Sequence, residues 1–154
     1  MPKTLGYMIT WTTYGTWLQG DERGFVKEGT IYAASPALAE SNQQSLKSDP
    51  IKLSPVHCQI VRNAILEKAN GLHQQIHALS VSSNHVHILA EYVAMPIGLV
   101  VRHYKGCAQA ALRKVGLASR IWTKGFDKRY CFDQQTLQNR INYVKSHDKG
   151  SRNI

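Results

Sequence analysis

The stretch Ser82-Ser83-Asn84-His85-Val86-His87-Ile88-Leu89-Ala90-Glu91 decides both the fold and the site. A polar, turn-like Ser-Ser-Asn lead precedes a β-branched and aliphatic run, which predicts a strand over His85–Tyr92. Strand side chains alternate between faces, so His85 and His87 share one face while Val86 and Ile88 share the other. Two imidazoles side by side on a rigid strand can hold one divalent metal ion. They can equally be two histidines on a half-exposed sheet face, and the triplet alone is a weak signal.

Working outward, Gln75–Val81 reads as a strand, joined antiparallel to the histidine strand through the Ser82–Asn84 turn. Upstream, Ser54-Pro55 opens a helix, serine at the N-cap and proline at N1. Val56, Ile60, Val61, Ala64 and Ile65 keep helical spacing, and Asn70-Gly71 ends it. His57 and Cys58 on this helix are read as structural. His73 and His77 do not form a helical metal pair, because Gly71 precedes them and a strand-like segment follows.

The N-terminal run Leu5–Tyr14 is rich in β-branched and aromatic residues and reads as a strand. Residues 15–24 read as a turn-rich loop, with Trp11 and Trp17 as packing residues. Residues 26–54 are polar, with Ser-Pro and Asp-Pro steps, and read as a long insertion only partly ordered by its own short elements. Beyond the histidine strand, Met95-Pro96 opens a second helix with the stripe Ile97, Val100, Val101, Tyr104, Ala108, Ala111, Leu112 and Val115. Gly116 stops it. A short strand is expected near 128–132, and Asp133 caps a last helix over roughly 134–147 with core residues Leu137, Ile141 and Val144.

With the insertion set aside, the order is β-α-β-β-α-β followed by one more helix. This is an α/β (α+β) arrangement of the ferredoxin-like, split βαβ kind, an antiparallel sheet with two helices on one face. The final helix is then free to cover the other face, where it meets the two histidines. The length of 154 residues fits one domain spanning 1–154.

The formal charge of +9 is carried by one part of the chain. Residues 1–101 hold seven Lys/Arg and seven Asp/Glu, while residues 102–154 hold twelve against three. Such an asymmetry points to a polyanion, most simply nucleic acid. Arg102, Lys105, Arg113, Lys114, Lys124, Lys128, Arg129 and, beside them, Arg140 are the expected phosphate contacts. The three cysteines are far apart and odd in number, which argues against a disulfide framework and fits a reducing cytoplasm. No apolar core follows Lys3 as in a signal peptide, and no apolar run is long enough to span a membrane.

On the last helix Arg140, Tyr143 and His147 fall at i, i+3 and i+7, sharing a flank beside the core stripe. Facing the His85/His87 strand, His147 can supply a third metal ligand and Tyr143 a nucleophile. A phenol with a pKa of about 10 is a poor nucleophile at neutral pH, and a nearby metal or cation lowers the cost of forming phenolate. The bland alternative for Tyr143 is an amphipathic residue at the edge of the core.

The combination of a strand, Asn84-His85-Val86-His87-Ile88-Leu89, a basic helix and a closing helix with Arg140-Ile141-Asn142-Tyr143-Val144 resembles the single-tyrosine HUH transposases. It is most similar to the REP-associated tyrosine transposases and related insertion-sequence transposases. Thr10-Trp11-Thr12-Thr13-Tyr14-Gly15-Thr16-Trp17-Leu18 resembles the opening of one subgroup of them. The resemblance covers most of the chain outside 26–54. It implies metal-dependent cleavage and transfer of single-stranded DNA, often at hairpins, in the cytoplasm at the nucleoid. It matches His85 and His87 to the pair that binds magnesium or manganese, and Tyr143 to the residue that forms a 5′-phosphotyrosyl link and leaves a free 3′-hydroxyl. Where that family has Gln or Asn one turn after the tyrosine, this chain has His147, which favours a softer ion such as manganese. Two matters stay open at this stage. Tyr143 can serve its own histidine pair or, in a homodimer, a partner's. The chain can also be a domesticated hairpin-DNA-binding protein without cleavage. A ferredoxin-like RNA-binding domain is set aside because no RNP-type aromatic pair on adjacent strands is evident.

Overall fold

A computed structural model describes residues 3–15, 25–27, 30–32, 51–117 and 119–147. The elements in chain order are β1 (Gly6–Thr12), β2 (Phe25–Lys27), β3 (Thr30–Tyr32), α1 (Pro55–Gly71), β4 (Ile76–Val81), β5 (His85–Glu91), α2 (Ile97–Lys114), β6 (Asp127–Cys131) and α3 (Gln134–His147). Four strands form one antiparallel sheet in the order β4-β5-β1-β6. Leaving out the small β2–β3 ribbon, the chain runs β1-α1-β4-β5-α2-β6, the split βαβ arrangement expected from the sequence, with α3 added.

The strand alternation sorts the core into two layers. Tyr7, Ile9 and Trp11 of β1, Leu79 and Val81 of β4, and Val86, Ile88 and Ala90 of β5 join Val61 and Ile65 of α1 and Val100, Val101, Tyr104, Ala108 and Leu112 of α2 in one buried cluster. On the opposite face a smaller cluster holds Met8, Ala78, Leu89 and Cys131 under Leu137 and Val144 of α3, with Ile141 packed against it. Each fully buried aliphatic side chain in these layers contributes roughly 1.5–3 kcal/mol relative to exposure. Gly6 stands where β1, β5 and α3 converge. A Cβ there would lie 2.7 Å from the Ala90 carbonyl oxygen and 3.3 Å from Leu137 Cδ1, so the helix can approach the sheet only over a glycine.

The helix starts follow from their caps. Ser54 Oγ accepts from the His57 backbone N–H at 3.1 Å, and His57 Nδ1 accepts in return from the Ser54 N–H. Asp133 accepts the Thr136 N–H at 2.7 Å at the start of α3. The expected insertion closes on itself. Ile51 N–H donates to Tyr14 O and Leu53 N–H to Ser83 O, so the chain returns beside the point where it left. A long excursion with neighbouring ends adds little loop-closure cost to the scaffold.

Several sequence expectations need correction. Leu53 is a buried core residue, so the insertion ends before 51 rather than at 54. The β2–β3 ribbon is its described element, and the rest of 26–50 lies outside the described residues, as do 16–24 with Trp17. Val56, in the first turn of α1, is 68% exposed. Val115 is 54% exposed, because α2 ends at Lys114 and the chain turns away there. Gly71 is the last helical residue of α1, and the left-handed position after it is taken by His73, with φ 55°. The three cysteines are free thiols. Among the described residues no helix is long and apolar enough to cross a membrane.

Candidate active site

His85 and His87 project from β5 onto the face covered by α3, opposite Val86 and Ile88, with ring centroids 4.6 Å apart. Cross-strand register places Thr10 opposite His87 and Thr12 opposite His85 on β1. Thr10 Oγ1 lies 2.8 Å from His87 Nδ1. Ser82 Oγ and Asn84 Oδ1 each lie 2.8 Å from His85 Nδ1. An amide oxygen only accepts, so the Asn84 contact calls for a proton on His85 Nδ1 and leaves Nε2 as the nitrogen turned to the site. Burial, with His85 and His147 adding to it, pushes the His87 pKa down to about 4. His87 is therefore neutral at pH 7. On its other side, in register on β4, stands Ser80, whose buried Oγ has no hydrogen-bond partner among the described residues.

Helix α3 brings Tyr143 and His147 over this pair. The Tyr143 ring lies 5.8 Å from the His87 ring, and the His147 ring lies 6.0 Å from it. Tyr143 is 46% exposed, so its phenol stands clear of the small core that its neighbour Val144 fills. His147 Nδ1 lies 2.9 Å from the Tyr143 carbonyl oxygen, which folds the imidazole back along its own helix. That bond explains why the third imidazole stands off. Among the described residues no group of three or more His, Cys, Asp or Glu side chains is arranged to hold a metal ion as it stands. The strand pair alone still fits a divalent ion of borderline softness. Its imidazoles are held at Nδ1, the usual outer support of a ligating histidine, and His87 is kept unprotonated.

Beside Tyr143 an open cavity of ≈ 490 Å³ is lined by Met8, Arg129, Thr136, Asn139 and Arg140. Arg129 of β6, paired with Asp127 at 3.3 Å, and Arg140 of α3 thus line the same cavity as Tyr143. Arg140 Nε is buried without a hydrogen-bond partner among the described residues. Its guanidinium lies near the Cys131 thiol, which burial pushes above its ordinary pKa. The same guanidinium hydrogen-bonds the Cys131 thiol, which ties Arg140 to the cavity wall.

The expected phosphate contacts do not form one surface. Arg129 and Arg140 line the cavity. Arg102, Arg113 and Lys114 are exposed on α2, which packs on the opposite face of the sheet. Lys105 is turned inward: its ammonium donates to Thr123 O at 3.0 Å and Gly125 O at 2.6 Å, and burial lowers its pKa. Lys124 is exposed on the loop before β6. Lys128 projects to the same face as Tyr130, whose ring meets Tyr7 on the helix-covered face. Tyr130 is thereby separated by the sheet from the histidines, while Tyr143 is not. Thr10, Ser80, Thr136 and Asn139 are site neighbours that the sequence reading missed. Thr10 was recoverable only from the register of β1 on β5.

Two solved structures share this fold. A REP-associated tyrosine transposase, solved bound to a REP hairpin, aligns with a TM-score of 0.56 at 14% identity, over 94% of this chain and 67% of that one. A protein of Deinococcus radiodurans R1 assigned as a transposase aligns with a TM-score of 0.50 at 14% identity, over 96% of this chain and 94% of that one. No protein-family model and no curated protein matches the chain. The chain therefore shares its fold with these two proteins.

Proposed function

We propose that this protein is a transposase-type enzyme that cleaves and rejoins single-stranded DNA at hairpins through a phosphotyrosine. The observation that carries this reading is the meeting, on one sheet face, of the His85/His87 pair, the exposed Tyr143 phenol and a cavity lined by Arg129 and Arg140. The fold neighbour solved with a hairpin supports the same class of partner.

In this reading Arg129 and Arg140 seat the scissile phosphate against Tyr143. The Tyr143 oxygen attacks phosphorus and loses its proton to solvent. One tyrosyl oxygen–phosphorus bond forms as the phosphorus–O3′ bond breaks, and the released O3′ takes up a proton. The 5′ side stays on the tyrosine and a free 3′-hydroxyl can reverse the step, so joining needs no external energy source. His85 and His87 would hold Mg2+ or Mn2+ through Nε2, with His147 joining once its ring leaves the Tyr143 carbonyl. Such an ion, when bound by these residues, would supply charge stabilisation for phosphoryl transfer. The chain's own contribution is to keep His87 neutral and to fix both ring orientations.

The test is a denaturing gel with a labelled hairpin oligonucleotide and Mn2+. Wild type forms a covalent adduct, Tyr143→Phe binds the DNA and forms none, and Tyr130→Phe still forms it. An adduct surviving in Tyr143→Phe overturns the assignment. Hairpin binding by wild type with no adduct under any divalent metal replaces the reading with that of a DNA-binding protein without cleavage.

A further inference from the structure

We infer that the edge strand β6 carries, on its face away from the active site, a stacking track for single-stranded DNA that flanks the hairpin. The inference rests on the DNA-processing reading above and adds a binding surface to it. Lys128, Tyr130 and Phe132 follow one another at spacing two, so they line one side of the strand and its exit. The Tyr130 and Phe132 rings lie 6.3 Å apart and only 33° from coplanar. Lys128 Nζ lies 5.9 Å from the Tyr130 ring centroid. The inner edge of the track is fixed, because Tyr130 meets the buried Tyr7 ring edge-on at 6.3 Å and 85°.

These rings are not core residues. Tyr130 is 37% and Phe132 48% exposed, because α1 and α2 cover the inner strands and leave the edge open. Adjacent exposed aromatics beside a cation suit a nucleic-acid single strand, whose bases stack without sequence preference while lysine meets the phosphates. A second copy of this chain is the poorer occupant. Arg129 is paired with Asp127 on the same strand, but the edge still presents Lys128, a charge that opposes strand-to-strand pairing of identical copies. The alternation of β6 also gives the track a direction. Arg129, between Lys128 and Tyr130, points to the other face, where it lines the cavity beside Tyr143. One strand therefore offers phosphate contact on the catalytic face and base stacking on the far face, as a DNA strand wrapping the sheet edge requires.

The experiment measures affinity by fluorescence anisotropy in a Tyr143→Phe background, so that binding is read without cleavage. The probes are one hairpin made blunt and the same hairpin with a single-stranded thymidine flank on either side in turn. Tyr130→Ala with Phe132→Ala is expected to weaken binding of a flanked hairpin roughly 10- to 100-fold and to leave the blunt hairpin unchanged. Tyr130→Phe, which keeps the ring, retains the wild-type affinity. Phe132→Ser alone, at a site past the end of the strand, gives part of the loss if the double variant does not fold. Equal affinities for flanked probes in all variants overturn the inference. So does a sedimentation shift from dimer to monomer in the double variant, which would make a second copy the occupant. Failure of the catalytic reading is seen separately, as absence of adduct with Tyr143 present.

Discussion

The two faces of the sheet are built from alternate residues of the same strands, yet they have opposite characters. On β5, Val86, Ile88 and Ala90 vanish under α1 and α2, while His85 and His87 lie on the face that α3 only partly covers. Two helices exclude water from nearly the whole of one face. A single helix covers the Met8, Ala78, Leu89 and Cys131 half of the other, with His87 buried beside it and His85 half-buried at the margin. The difference teaches that stability and chemistry are separated here by one residue of register. A slip of β5 by a single position would bury the histidines in an apolar layer and expose the core.

The largest effect should come from attacking the first face. Ile88→Ala is expected to cost about 2–5 kcal/mol of unfolding free energy, because Ile88 is fully buried between the sheet and the helix pair. His85→Ala, its neighbour three residues back on the open face, should stay within about 1 kcal/mol. Urea melts of both variants measure the contrast. Comparable losses would mean that the open face is also a packing layer and would break the comparison.

Next comes the support of the histidines. Thr10→Val keeps the shape of the β1 residue and removes the hydroxyl at His87 Nδ1. The expected result is a 10- to 100-fold loss of Mn2+ affinity by calorimetry, as for other outer supports of ligating histidines, with the thermal midpoint little changed. Unchanged affinity would show that the ring is oriented by packing alone.

This contrast also explains what the sequence could and could not reveal. Strand alternation is local, so the shared face of His85 and His87 was readable from four residues, and the i, i+3, i+7 spacing of Arg140, Tyr143 and His147 was readable from one helix. The caps Ser54 and Asp133 were readable for the same reason. The basic residues were not, because net charge carries no information about which layer a helix joins. The crossover that places α2 behind the sheet takes Arg102, Arg113 and Lys114 away from the cavity, while Arg129 and Arg140 arrive there from β6 and α3. The placement of Lys105 was not legible for a different reason: its acceptors, Thr123 O and Gly125 O, belong to a loop that folds back from 18 and 20 residues further on. The aromatic track on β6 needed both the parity of that strand and the knowledge that it is an edge.

The narrowest effect is confined to mildly acidic pH, and it tests whether water is excluded from the buried His87. Burial holds the His87 pKa at about 4, against an ordinary 6.5. Between those values the unfolded chain binds a proton at this residue and the folded chain does not, so stability falls as pH falls from about 6.5 toward 4. Above 6.5 both states are neutral and the contribution vanishes; below 4 the loss is complete. His87→Asn removes the titration, so the variant's thermal midpoint, measured with a chelator present, should decline less steeply than wild type across that window. His85 lies on the same strand face but is less buried, so His85→Asn serves as the matched control. Identical slopes for wild type and His87→Asn would show that water reaches His87 in the folded protein. The two faces of the sheet would then differ in composition but not in their exclusion of solvent.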